Sequence, residues 1–239
     1  MYSITRSDPV ATHDWHLGED DFFADLAAER EAFLRLSRRR ELAKGDMIFF
    51  EDDAGESCFY LEHGLIKIFR IAASGKEPIF FLRHGGEMFG LAEVMESETR
   101  KANAQALSPC VLHEIDKREF EKFLAENFRA TRKVIRILGR RLRYLGEQLG
   151  NLMSCDVGTR LAKLLVYIAH DELSAEDSWR RPVILPVALT QEQMAAMTGS
   201  CQQTVSEFLK RFQEEGLVRV GRKKITILDP LKLLEKAEK

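Results

Sequence analysis

The amino-acid sequence predicts an α+β protein: an N-terminal antiparallel β-roll with flanking helices, one long helix, and a C-terminal domain of short helices closed by a β-hairpin. Three observations carry that reading. Six short β-rich runs between Glu41 and Ile115 are separated by glycines at 45, 55, 64, 75, 85, 86 and 90, a spacing that suits a roll or barrel. From about Lys117 to Met153 apolar residues recur at helical spacing. Beyond a break at Met153-Ser154-Cys155 come short amphipathic helices and two strands joined by a basic turn.

The elements follow in order. Residues 1–18 show no periodicity and read as a loose leader. From Glu19 to Arg40, Phe22, Phe23, Leu26, Phe33, Leu34 and Leu36 suggest one or two short helices. The strands expected next are Met47–Phe50, Phe59–Leu61, Leu65–Ile71, Ile79–Leu82, Ala104–Leu107 and Val111–Ile115. Residues 19–127 thus form a roll with its helices, and 128–153 a long helix on which Val134, Leu138, Leu142, Leu145, Leu149 and Leu152 make a narrow seam. Such a seam needs a partner; packing against the chain's own roll is the alternative, and a homodimer is the preferred reading. The break after Met153 marks the domain boundary, and Asp156 caps the next helix, Val157 to about Ala169.

Within residues 154–239, Thr190 followed by Gln193 reads as a capping box, and Gly199 suits a turn. The following helix, about Cys201 to Glu214, turns Val205, Phe208, Leu209 and Phe212 inward. A hairpin, Leu217–Val220 and Ile225–Leu228, turns at Gly221–Lys224. Two helices across a glycine turn followed by a basic hairpin describe a winged helix-turn-helix.

The composition narrows the function classes. With 239 residues, 45% hydrophobic and 31% charged, and only 15 Gly and 6 Pro, the chain has material for two cores and is neither disordered nor fibrous. No apolar run approaches the roughly 20 residues of a membrane span, and the first residues lack a signal-peptide apolar core. Cys58, Cys110, Cys155 and Cys201 are far apart and form no CxxC pair, which points to a reducing cytoplasm. Residues 1–62 hold 15 acids against 7 bases, whereas residues 117–143 hold 10 bases against 3 acids. The later segments therefore suit a polyanion locally, although solvated helix faces account for charge alone.

The expected chemistry is DNA binding. On the second helix Gln202, Gln203, Ser206, Glu207 and Lys210 share the solvent face. Gln can pair with adenine, and Glu can accept from a cytosine amino group. Lys210, Arg222 and Lys223 can neutralise phosphates, and Thr190, Cys201 and Thr204 complete the candidate contact set.

The chain resembles the Crp–Fnr family of bacterial transcription regulators across about residues 30–230. The matching residues are Lys44-Gly45, Phe59-Tyr60-Leu61 with Gly64, Gly75, Gly86-Glu87-Met88-Phe89-Gly90, Asn151-Leu152 with Asp156-Val157 and Arg160, and Leu189-Thr190, Gly199 and Gln203-Thr204-Val205-Ser206. The resemblance implies a cyclic-nucleotide-binding-like roll coupled to a dimer helix and a DNA-binding domain. It also implies a homodimeric regulator, more often an activator, with double-stranded DNA and RNA polymerase as partners.

Its departures bear on the effector. Where the cyclic-AMP receptor has a Gly-Glu pair this chain has Gly90-Leu91, and the Arg-Ser region reads Arg100-Lys101-Ala102. The adenine-reading Thr-Ser pair corresponds to Leu145-Gly146. Cyclic AMP is therefore disfavoured. So is an iron–sulfur cluster, because no Cys precedes Cys58. The haem-ligand position of the carbon-monoxide sensor corresponds to Ala92. Gly90, Leu91, Ala92, Arg100, Lys101 and Leu145 form the candidate effector pocket, whose ligand is unassigned. A haem-dependent nitric-oxide sensor is the alternative, with His84, Met88 or His113 as ligand candidates; for each, an ordinary structural role is the competing reading. A cupin-like enzyme is the remote alternative, and the roll lacks the HxH pair it needs, so neither an enzyme nor a metal site is expected.

Overall fold

The computed structural model describes residues 21–173, 176–222 and 224–238. Backbone contacts divide the chain between Gly139 and Arg140, and each unit has its own core.

The first unit contains α1 (Ala27–Leu36), β1 (Arg38–Leu42), β2 (Met47–Phe49), β3 (Ser57–His63), β4 (Leu65–Phe69), β5 (Ile79–His84), β6 (Met88–Phe89), α2 (Leu91–Glu96), β7 (Asn103–Ala106), β8 (Cys110–Asp116) and α3 (Lys117–Glu126). It also contains the first part of α4, which runs Phe128–Ser154. The strands form two antiparallel sheets, ordered β1-β8-β3-β6 and β2-β7-β4-β5.

The alternation along β3 builds two cores at once. Phe59 and Leu61 face a cluster with Ile66, Phe89, Ala104 and Leu112. Cys58 and Tyr60 face a second cluster with Phe33 of α1, Phe120 and Phe123 of α3, and Val134 and Ile137 of α4. β3 is thus covered on both faces.

Three expectations need correction here. Residues 38–42 form a strand, not the end of a helix, because β8 supplies the pairing: Glu114 Oε2 accepts from Arg38 at 2.7 Å and Arg40 at 3.1 Å across the ladder. The helical stretch from Lys117 breaks at Asn127, dividing α3 from α4. Val134 also departs from the expected exposed seam. Val134 is buried in the roll's helix-side core and Leu138 packs partly against it, so Val134 has no face left for a second chain.

The second unit holds the rest of α4, α5 (Val157–Ile168), two short 3₁₀ turns (Asp171–Leu173 and Glu176–Arg180), and β9 (Val183–Ile184). It continues with α6 (Gln191–Thr198), α7 (Gln202–Glu214), β10 (Val218–Gly221), β11 (Lys224–Ile227) and α8 (Pro230–Ala237). The last three strands form one antiparallel sheet, β10-β11-β9. Leu161, Leu165, Trp179, Leu209, Phe212 and Leu233 are among its buried core. Asp156 caps α5 as expected, accepting from Thr159 N at 2.7 Å. The helix α8 lies beyond the sequence reading, although Asp229 and Pro230 spell its start: the Asp229 side chain accepts from Lys232 N at 3.1 Å and Pro230 occupies the first turn.

Candidate nucleic-acid interface

The helix-turn-helix is set by caps and one close approach. Thr190 and Gln193 bond reciprocally: Gln193 N donates to Thr190 Oγ1 at 3.1 Å, and Thr190 N to Gln193 Oε1 at 2.9 Å. Gly199 ends α6 in the left-handed region at φ 61°, where a Cβ would also lie 2.8 Å from Leu152 Cδ2. Arg160 braces the turn, donating from Nε to Thr198 O at 2.8 Å and from Nη1 to Cys155 O at 2.6 Å. At Gly158, a Cβ would stand 2.5 Å from the Phe208 ring, so α5 and α7 meet nearly backbone to ring.

With Val205, Leu209 and Phe212 buried, the opposite side of α7 faces out. Gln202, Gln203, Ser206, Glu207 and Lys210 are exposed, as are Thr190 and Cys201, and Thr204 is half-buried. Cys201 caps α7 without a side-chain bond to the backbone, and its Sγ lies 3.1 Å from Thr204 Oγ1. Gln203 Nε2 donates to Glu207 Oε1 at 3.2 Å. The cations nearest along the helix are engaged elsewhere: Lys210 lies 3.9 Å from Glu214, and Arg211 covers the Phe208 ring at 4.9 Å.

The wing is tied to this helix by a contact the sequence did not suggest, Val220 N donating to Gln213 Oε1 at 2.8 Å. Arg222 is exposed at the wing turn, and Lys223 falls outside the described residues.

The candidate effector residues do not form one polar cradle. Gly90 is left-handed at φ 69°, and Arg100 is buried beneath it. Its guanidinium donates to Gly90 O at 3.2 Å, to Glu93 Oε2 at 3.3 Å and to Ser57 O, and lies 4.3 Å over the Phe49 ring. Burial lowers the Arg100 pKa, and Glu93 opposes the shift. Beside it, burial pushes the Cys58 thiol well up, leaving it protonated and inert. Leu91 is buried while its neighbour Ala92 is exposed, so the two do not share an apolar pocket. Lys101 is exposed and pairs with Glu98 at 3.2 Å. Leu145 belongs to the second unit and is exposed. Ser57 and Glu93 are the partners that spacing could not reveal.

The haem-ligand candidates also stand apart. Met88 and His113 both pair with Tyr60, from opposite neighbouring strands, which puts them about 10 Å apart on the helix-covered face. Met88 is completely buried, and His113 Nε2 lies 3.0 Å from Glu62. His84 lies on β5 of the other sheet. Among the described residues no group of three or more His, Cys, Asp or Glu gathers as a metal site, and no helix is long and apolar enough to cross a membrane.

The seam divides. Leu142, Leu145, Leu149 and Leu152 are exposed, and so is Ile135, at 65%. Replacing Val134 by Ile135 gives spacings of 3, 4, 3, 4 and 3 through Leu138 to Leu152, a stricter heptad than the sequence reading drew.

Comparison with known proteins agrees with this architecture. A family profile for a cyclic nucleotide-binding domain matches residues 39–127, and one for a Crp-like helix-turn-helix domain matches residues 159–236. A CRP-like cAMP-activated global transcriptional regulator of Mycobacterium tuberculosis is 26% identical over 82% of this chain and 87% of its own. The transcriptional activator protein anr of Pseudomonas aeruginosa is 27% identical over 83% of this chain and 80% of its own. Among solved structures, a CooA variant from Carboxydothermus hydrogenoformans shares the fold with a TM-score of 0.76 at 23% identity, covering 94% of this chain and 99% of that one. The two matched domains fall in the order and on the elements described above, and the chain belongs to the Crp–Fnr family of DNA-binding transcription regulators.

Proposed function

We propose that this protein is a cytoplasmic, homodimeric, effector-responsive activator that reads a palindromic operator through α7 and the wing. The observation that carries the reading is the division of α7: one face buried, the other presenting Gln202, Gln203, Ser206, Glu207 and Lys210. Two such helices in a dimer reach two major-groove half-sites about one helical turn apart. The exposed leucines of α4 supply an apolar surface for the second chain, and RNA polymerase is the partner expected of an activator.

The effector is something other than cyclic AMP. Several relatives carry cyclic AMP in their names, but here the one buried arginine of the site is held by three internal acceptors and Leu91 stands where a ribose-binding carboxylate is needed. No iron–sulfur cluster and no catalytic activity are assigned.

Selection of bound sequences from randomised DNA, with sedimentation of the free protein, tests this reading. The expected result is a two-fold symmetric site bound by a dimer. A monomer, or binding without sequence preference, overturns it.

A further inference from the structure

The first unit carries a basic groove of about 460 Å³, between the segment Ala24–Leu26 and the opening turns of α4. That volume lies in the range of small-molecule sites. Arg129, Arg132, Lys133 and Arg136 line one wall. Two of these cations are balanced within the chain. Arg129 lies 3.6 Å from Glu29 and 3.8 Å from Asp25, and Lys133 Nζ donates to Asp25 Oδ1 at 2.8 Å and to Asp21 O at 3.0 Å. The Lys133 hydrogen bond holds the Asp25 carboxyl below its ordinary pKa, so Asp25 is fully charged and already matched.

Arg132 and Arg136 are different. Both side chains are exposed, and among the described residues neither has a hydrogen bond or ion pair. Four residues apart on one helix, they stand one turn above each other and repel. The first turn of α4 contains no acid to offset them either. Nothing in this arrangement favours the free helix. It favours an anion.

The shape of the anion follows from the spacing. Four residues at 1.5 Å each set the two arginine stems about 6 Å apart along the axis, within reach of two linked phosphates for side chains of this length. Each fork can hold one phosphate in bidentate fashion. We propose that this groove is a binding site for a small molecule bearing two linked phosphate groups, gripped by Arg132 and Arg136 and flanked by Arg129 and Lys133. An acidic protein segment would satisfy the charge, but a concave site of this volume fits a small molecule better than an extended chain.

Calorimetry of the full chain with inorganic pyrophosphate at fixed low salt tests the site without DNA, so its outcome is independent of the DNA-binding reading. One saturable site per chain is expected. Orthophosphate, which fills one fork, binds at least tenfold more weakly. The Arg132→Ala/Arg136→Ala protein loses at least tenfold in pyrophosphate affinity with an unchanged circular-dichroism spectrum. Arg132→Lys/Arg136→Lys keeps the charge without the forks, and its affinity falls between the two; Lys76→Ala, on a distant turn, binds as the parent does. Absence of saturable binding, equal affinity in the double alanine variant, or Arg132-dependent binding of a poly-glutamate peptide without pyrophosphate binding each overturns the proposal.

Discussion

Gln203 donates its side-chain N–H to Glu207 at 3.2 Å, one turn along the exposed face of α7. The bond uses one amide N–H and leaves the exposed Gln203 amide one acceptor and one donor, the pair that adenine requires. In the proposed DNA-reading role, Glu207 would act partly by orienting Gln203.

Glu207→Ala is expected to release that amide. Discrimination at one operator position should fall by about 1–3 kcal/mol. Selection on randomised half-sites at fixed salt measures this. A variant that prefers the same sequence as strongly as the parent removes Glu207 from readout.

Arg222→Ala at the wing should behave otherwise. It weakens binding to all sequences alike and lowers the slope of log affinity against log salt by about 1. A change in preferred sequence would mean that the wing reads bases.

The α4 residues Val134 and Ile135 are adjacent and should separate cleanly. Val134→Ala opens the roll core and costs on the order of 2 kcal/mol of stability, read by denaturant unfolding. Ile135→Glu leaves stability almost unchanged and weakens the dimer, as Leu142→Glu and Leu149→Glu do more strongly. Sedimentation equilibrium distinguishes them, and a fully dimeric Leu142→Glu/Leu149→Glu protein argues against the α4 interface.

Arg100→Ala is expected to destabilise the roll by about 3–5 kcal/mol, because Glu93 and two carbonyls lose their buried donor. Calorimetry of the parent should find no tight binding of cyclic AMP. Micromolar binding that also raises operator affinity contradicts the assignment of another effector.

The cap at Asp156 gives a pH signature. Thr159 N–H holds its carboxyl below the ordinary value of 3.8. A lowered folded pKa contributes stability that is present above the unfolded pKa and is lost as pH falls through the folded one. Asp156→Ala should therefore cost about 1 kcal/mol at neutral pH, and the gap should narrow as pH falls below about 4 and through the lowered folded pKa. A gap that does not narrow at all as the pH is lowered in thermal unfolding assigns the loss to something other than the charge.

Most roll strands were legible because alternation and turn glycines are local signals. β1 was not: Arg-Arg-Arg-Glu-Leu has no apolar alternation, and it pairs with β8, where Glu114 bonds Arg40 across 74 residues of sequence. The α7 face could be read from spacing alone, since burial of Val205 and Leu209 dictates what faces out. The partners of Arg100 could not, because Ser57 acts through its backbone carbonyl, a group every residue carries. Ile135 was within reach of a stricter heptad count, which Val134 obscured by being apolar for the roll's sake.

The Arg160 brace has a mechanical consequence. One guanidinium grips Cys155 O, just past the end of α4, and Thr198 O, the last residue of α6. Helix ends usually communicate through loops, which absorb motion. Here two carbonyls separated by 43 positions in sequence share a single rigid planar donor. A donor shared in this way would carry a twist of the last turn of α4 to the turn before α7 as a lever does, where a loop would act as a tether.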